Sequence, residues 1–478
     1  MIKMIKPYFW LLLAVWTFVS CADNDSFSLS QANRLTFSVD TLKLDTVFSN
    51  VPSAMRSMWV YNNSGDGVRC KSIRLARGSN SGFRVNVDGI YLSDRMNYST
   101  NEISLRNRDS LRVMVELTAP LNSQTDPQLD EDDLVFTLES GVEQKVNLRA
   151  YSWDATLLRN VRVSHDSIIS PSAKPLVIYG GITVDSAVTL TLAAGTTLYF
   201  HADAGLNVRG RLLSQGTATQ NVTLRGDRID RMFDYLPYDR VPAQWTGVRF
   251  YSSSYGNELH YTDVHSTQDG VVVDSSDVSR LKLTVTNSTI HNCQGYGLKA
   301  ANAQLKLENT QITNALRDCL HLDGGHTTVN NCTFAQFYPF DSNRGAAFAF
   351  TARYPLLNLD VRNTLITGYA DDQLIGTLSD AAVPHIYSFD HCIIRTPKIT
   401  TADSVHFTNV VYENVKDTTS QGQKHFMKID AAHQYYDFRL SSKSAAIDKA
   451  DPLTALPTDR SGSSRDSNPD VGAFEYKP

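Results

Sequence analysis

Between Leu259 and Ile394 apolar and polar residues alternate in short runs, and the runs repeat. The repeating unit is an apolar residue, any residue, Asn, then an apolar residue three positions on. It reads Val285-x-Asn287 to Ile290, Leu307-x-Asn309 to Ile312, Val329-x-Asn331 to Phe334 and Val361-x-Asn363 to Ile366. The first three Asn are 22 residues apart, and eleven residues after three of the Asn stand Leu298, Leu320 and Leu374. Tyr261, framed by Leu259, Val264 and Val272, and His391, framed by Phe389 and Ile394, hold the Asn position in two further units.

A fixed period near 22 predicts a solenoid, because each unit can bury its apolar face only against its neighbours. The alternation is that of strands, and no unit has room for an amphipathic helix. Two or three short strands and tight turns fill one coil. The pattern therefore predicts a right-handed parallel β-helix. Asn287, Asn309, Asn331 and Asn363 are expected as a structural ladder, an inward column at a bend with amides bonding turn backbone and one another. Gly-punctuated runs over 174–224 supply the first coils. Together the coils are expected over 156–415.

The alternation differs upstream. Leu35–Val39, Leu42–Val47, Ser57–Tyr61, Phe83–Val87, Leu111–Leu117, Leu134–Leu138 and Gln144–Leu148 are short alternating runs separated by turn clusters. About seven such strands predict an immunoglobulin-like β-sandwich over 35–153. The acidic stretch Asp126–Asp133 reads as a solvated hairpin connection. The fold class is thus all-β, an N-terminal immunoglobulin-like β-sandwich followed by a right-handed parallel β-helix.

Three stretches leave the repeat. Residues 227–245 carry Phe233, Tyr235, Tyr238 and Trp245; residues 335–345 carry Phe337, Tyr338, Phe340 and Arg344; residues 375–386 form the third. A loop expelled from a solenoid either packs on it or binds something. These seven aromatic residues are the binding candidates, and a shared face would make a groove.

Composition narrows the partners. The chain has 478 residues, 42% apolar and 20% charged, with a net charge of −5. It lacks the basic footprint of a nucleic-acid binder. Residues 1–20 hold Lys3, Lys6 and an apolar run too short to span a bilayer, and they end at Ser20-Cys21. This resembles a bacterial lipoprotein signal, which makes Cys21 the lipidated residue, followed by a polar tether over 21–34. Asp23 and Asp25 resemble the surface-export signal of Bacteroidota lipoproteins. The other five cysteines show no metal-binding spacing and read as buried thiols.

The segment ending Val222-Thr-Leu-Arg-Gly-Asp-Arg resembles the start of Bacteroidota β-helix lipoproteins. Residues 416–478 carry Ser444-Ala-Ala-Ile-Asp448 and Asp470-Val-Gly-Ala-Phe-Glu475 and resemble the "choice-of-anchor Q" block of extracellular β-helix proteins. The resemblance implies a capping block, and an open solenoid end has strand edges to cover. It also implies an outer-membrane, lipid-anchored location at the cell surface.

Enzymes on this fold need carboxylates on adjacent turns of one face. Asp318 and Asp372 each lie nine residues after their Asn, Asp341 falls in the intervening turn, and His321 and Asp323 cluster nearby. These five are the catalytic candidates, set against an ordinary reading as solvated turn residues. No metal set or cofactor is expected, and calcium enters only under the lyase alternative. The favoured function is a non-catalytic envelope protein whose loops bind glycan or another envelope component. The alternatives are a polysaccharide lyase or glycoside hydrolase, and an accessory subunit docking on an outer-membrane protein partner.

Overall fold

The apolar position of the repeat becomes one inward column in which Leu259, Val285, Leu307, Val329, Val361, Phe389 and Phe407 are successive register partners. A second column runs Val264, Ile290, Ile312, Phe334, Ile366, Ile394 and Tyr412. A third runs Val271, Leu298, Leu320, Phe348 and Leu374, so Phe348 fills the coil where the eleven-residue spacing is interrupted. Parallel register repeats the same side of the pleat at every step, so one apolar position per strand is enough to build a continuous core. The computed structural model describes residues 26–378 and 383–478. Its largest sheet has 26 strands from Thr156–Val163 to Val411–Tyr412 and forms the right-handed parallel β-helix.

The chain divides into two units, one ending at Leu121 and resumed at Gln128–Ser152, the other Asn122–Pro127 with Trp153–Pro478. The first is the immunoglobulin-like β-sandwich. It has two five-stranded sheets, so ten strands where about seven were expected. Val68–Leu75, Ile90–Tyr91 and Ile103–Leu105 are the additions. The acidic stretch is not a loop. Asp130 to Asp133 lie within the strand Gln128–Leu138 and pair with Glu143–Trp153. Lys145 and Arg149 answer Asp133 and Glu131 across the ladder at 2.8 and 3.1 Å, which lets acids sit in a strand.

The ladder position also differs from expectation. Tyr261, Asn287, Asn309, Asn331, Asn363, His391 and Asn409 all have φ between +43° and +52°. Asn is favoured there because its short polar side chain tolerates the left-handed region at least cost after Gly. The amides do not form an inward ladder. Asn363 Oδ1 accepts from Asp451 N at 2.8 Å, and Asn331 Oδ1 from Leu456 N at 2.8 Å. Asn309 donates to Thr458 O at 2.7 Å and accepts from the Arg465 guanidinium at 3.1 Å. The C-terminal segment thus runs back along the outside of this corner, coil by coil. Its Phe426, Phe438, Leu440, Ala446 and Val471 form a separate apolar cluster with Ala335, Phe337, Leu365 and Ile393 on the flank of the β-helix. Gly472, at φ +107°, brings its backbone against Asn363 O and Thr333 Oγ1, where a Cβ would stand 2.8 Å from that hydroxyl.

The five described cysteines, Cys70, Cys293, Cys319, Cys332 and Cys392, are free and buried. Cys21, the expected signal at 1–20 and part of the 375–386 loop lie outside the described residues. No helix among the described residues is long and apolar enough to cross a membrane.

Candidate functional site: a cleft under the C-terminal hairpin

Outward residues of the strands Thr289–Cys293 and Gln311–Ala315 make the floor of a cleft of about 380 Å³. Thr289 and Gln311 are register partners on this floor, with His291, Asn292 and Asn314 beside them. Asn292 and Asn314 have φ of +55° and +56° and form a second left-handed corner. The roof is the hairpin of Phe426–Asp430 and Tyr435–Leu440, with Gln434, Tyr435, Asp437 and Arg439 lining it. Arg240, from the 227–245 insertion, closes one side.

Two amide oxygens here, Asn314 Oδ1 and Gln434 Oε1, are buried without a hydrogen-bond partner among the described residues. Such atoms lose hydration on folding and gain nothing until a donor arrives. Tyr435 lines the cleft and is 47% exposed, and Phe233 (51%) and Tyr235 (48%) stand beside the hairpin tip, outside the lining itself. Phe233 stacks on Tyr235 at 5.7 Å, and Tyr235 meets the His433 ring edge-on at 5.8 Å. Arg240 lies 5.0 Å from the Tyr435 ring and donates to His433 O at 3.2 Å, which ties the insertion to the hairpin. Aromatic rings held this way at a polar cleft offer flat apolar faces next to hydrogen-bonding groups.

The seven aromatic candidates separate. Phe233 and Tyr235 stack beside the hairpin turn at His433, next to the cleft but not lining it. Tyr238 is half-buried under Arg228, whose guanidinium is 4.0 Å from its ring. Trp245 is 1% exposed, stacked on Phe200 at 4.2 Å with its indole N–H on His265 O, so it is core and not a binding surface. Phe337 and Tyr338 are likewise buried, and Phe337 packs among Phe426, Phe438 and Tyr369, where it seats the hairpin. Phe340 is exposed and packs edge-on against Tyr338.

Three of the five catalytic candidates, Asp318, His321 and Asp372, lie at a different cleft of about 400 Å³, on the outer face of the coils built from 318–351 and 370–377. It gathers Asp318, His321, Asp372 and Arg344. Asp318 is already engaged. Its Oδ2 is 2.8 Å from His321 Nδ1, and its Oδ1 accepts from Ala346 N at 2.9 Å. Asp372 Oδ1 accepts from Thr396 Oγ1 at 2.6 Å. Asp323 is buried, pairs with Arg353 at 2.6 Å and accepts from Thr351 Oγ1, so it does not line the cleft. Asp341 is exposed and closes its own turn on Asn343 N. Arg344 Nη1 has no hydrogen-bond partner among the described residues, and its guanidinium lies 4.8 Å from the Tyr369 ring.

Sequence reasoning assigned no metal. Two donor sets are brought together among the described residues, Asp263 with His265 and His291, and Asp390 with His391 and Asp451. His265 and His291 each lie four residues after the repeat position held by Tyr261 and Asn287, so the signal was present in the frame. The cleft roof was missed because its residues come from the block expected only as a cap.

Several solved structures are similar to parts of the chain. The catalytic unit of the thermostable GH87 α-1,3-glucanase from Streptomyces thermodiastaticus strain HF3-3 is 11% identical, with 75% of this chain and 88% of that chain covered and a TM-score of 0.24. A PapD-like domain of human CEP192 is 11% identical over 26% of this chain and 89% of that one, TM-score 0.18. A family 123 glycoside hydrolase from Clostridium perfringens is 7% identical over 27% and 26%, TM-score 0.18. No curated protein matches the chain. One family model does match: residues 178–334, within the parallel coils described above, match the model described as right handed beta helix region.

Proposed function

We propose that this protein is a lipid-anchored component of the bacterial outer membrane, facing the cell surface, that binds glycan without turning it over. The binding site is the cleft under the C-terminal hairpin. The observation that carries this reading is a cleft lined by the exposed Tyr435, whose Asn314 and Gln434 oxygens lack partners among the described residues, with the stacked, exposed Phe233 and Tyr235 beside it. Sugar rings present axial C–H faces to aromatic rings and hydroxyl donors to amide oxygens, so both features suit one ligand class. The sequence resemblance to Bacteroidota β-helix lipoproteins supports the location, with Cys21 as the anchor.

A second reading has its own observation. Arg344, with Nη1 unpartnered among the described residues, stands in one cleft with the Asp318–His321 pair and Asp372, a combination that could hold an acidic sugar for lyase or hydrolase chemistry. The carboxylates' existing hydrogen bonds weigh against it, because a proton-transfer group must face the substrate.

The experiment is a screen of the purified full chain against bacterial and host polysaccharides, scored for both binding and product. Binding without product supports the first reading. Steady release of unsaturated or reducing ends, abolished by Asp318→Ala, overturns it in favour of the second. Capture of an outer-membrane protein from gently solubilised membranes, lost on Tyr235→Ala with no glycan bound, turns the site into a docking surface instead.

A further inference from the structure

The insertion 227–245 does more than place aromatics beside the cleft. It covers an outward row of the β-helix in which His265 and His291 are register partners on adjacent coils, their rings 4.8 Å apart. Asp263 is two residues before His265 on the same strand and so on the same outward face. Its Oδ1 lies 2.8 Å from His265 Nδ1 and 3.2 Å from His291 Nε2. The three donor atoms all lie within 4.8 Å of one another.

The other nitrogen of His265 is also occupied. Nε2 is 2.7 Å from Asp239 Oδ1, a residue of the insertion, and Arg225 holds that carboxylate at 2.9 Å. Ser266 Oγ donates to Asp239 O at 2.7 Å, which fixes the insertion at this point. Asp239 holds the proton of Nε2, and a metal bound at Nδ1 would take the place of the proton that Nδ1 shares with Asp263 Oδ1. That is the outer-shell arrangement that metal-binding histidines show.

We propose that Asp263 Oδ1, His265 Nδ1 and His291 Nε2 bind a divalent first-row metal ion, zinc by preference, with Asp239 as the positioning residue behind His265. Two imidazoles and one carboxylate make a borderline donor set that suits zinc better than calcium or magnesium. Bonds of about 2.0–2.2 Å in a tetrahedral site put the donors roughly 3.3 Å apart. The contacts of 2.8 and 3.2 Å are near that spacing, and the two imidazole nitrogens, within 4.8 Å of each other, would close around the ion. Three protein ligands leave one position open, and His291 lines the cleft under the hairpin, so the open position can be reached from there. Arg460, bonded to Thr289 Oγ1 at 3.1 Å, places a positive charge near Asp263 and lowers the affinity. The second donor set is weaker. Asp390 and Asp451 are engaged by Asn409, Leu453 and Thr454.

The proposal stands apart from glycan binding and is tested with metal alone. The full chain, stripped with chelator, is titrated with Co²⁺ and followed by visible absorption, then challenged with Zn²⁺. The expected result is one equivalent with tetrahedral-type absorption, bleached by Zn²⁺. His291→Gln and Asp263→Asn remove it, and His391→Gln leaves it. Asp239→Asn weakens binding roughly 10- to 100-fold, as loss of an outer-shell partner does elsewhere. His291 is half-buried at the cleft, and circular dichroism checks that its variant is folded. A folded wild-type chain that takes up no metal at micromolar concentration overturns the proposal. So does uptake that His291→Gln does not change, which would leave the cluster as a hydrogen-bonded clasp on the insertion.

Discussion

Asn363 and Asp451 lie 88 residues apart and are joined by a 2.8 Å hydrogen bond from the Asp451 amide to the Asn363 side-chain oxygen. Through this and the matching bonds at Asn331 and Asn309, the left-handed corner of the β-helix becomes the track on which the C-terminal block lies. The block carries the roof of the cleft, so the corner positions the site without touching it.

Asn363→Ala therefore acts on the tail first. It removes the side-chain bonds to Asp451 and Thr454 and puts Ala at φ +49°, at a combined cost of about 2–4 kcal/mol. Asn363→Gly loses the same bonds and escapes the backbone cost, so it falls between Ala and wild type. Limited proteolysis after residue 440 reads the difference. Cleavage unchanged in both variants would refute the clamp.

The repeat was legible because parallel register returns Val285, Leu307 and Val329 to one column, so spacing along the chain is geometry in space. The destination of the Asn side chains was not legible. Their partners lie 88 to 156 residues downstream, and no local pattern names them. Trp245 and Phe337 were misassigned for a related reason. An aromatic in an insertion reads the same whether it faces solvent or a coil, and only the fold shows that Phe200 and Phe438 wait for them. Asp130 to Asp133 looked like a loop because the compensating Lys145 and Arg149 stand on the neighbouring strand.

Burial pushes the thiols of Cys70, Cys293, Cys332 and Cys392 up to about 12. A thiol held protonated and out of solvent reacts slowly. A disulfide reagent should label none of these five described cysteines, Cys319 included, within minutes in the native chain, and all of them in denaturant. Fast native labelling at any one would contradict its placement.

Asp470 lies buried in the tail block, and burial raises its carboxyl from 3.8 to about 6. A folded-state value above the unfolded one means the folded chain binds the proton more tightly. Its ionisation therefore costs stability above pH 6, on the order of 2–3 kcal/mol, and the cost is relieved as pH falls from 6 towards 4. Asp470→Asn removes that dependence. The urea midpoint of wild type minus that of the variant should rise on acidification across this window. A flat difference would show that Asp470 titrates normally.

Lys282 is fully buried, donates to Tyr251 O at 2.7 Å, and is lowered to about 8 by desolvation. Lys282→Met keeps the alkyl volume, removes the buried charge and leaves the Tyr251 carbonyl with the Ser254 amide as its remaining donor. These effects oppose, so the change in stability should stay within about 1–2 kcal/mol at pH 7. The variant's advantage should shrink as pH rises from 8 to 10, where the wild-type amine is neutral when folded. A loss above roughly 4 kcal/mol would mean the ammonium is needed.

The two clefts give opposite predictions in one titration. An oligosaccharide that binds the full chain is titrated calorimetrically into wild type, the double variant Tyr235→Ala/Tyr435→Ala, and Asp318→Ala. Removing two exposed rings, one lining the hairpin cleft and one beside it, should weaken binding about 10- to 100-fold, from roughly 0.5–1.5 kcal/mol per ring contact. Asp318→Ala should leave the isotherm unchanged. An isotherm that survives the loss of both rings and collapses with Asp318→Ala would place the ligand on the other face and contradict the assignment.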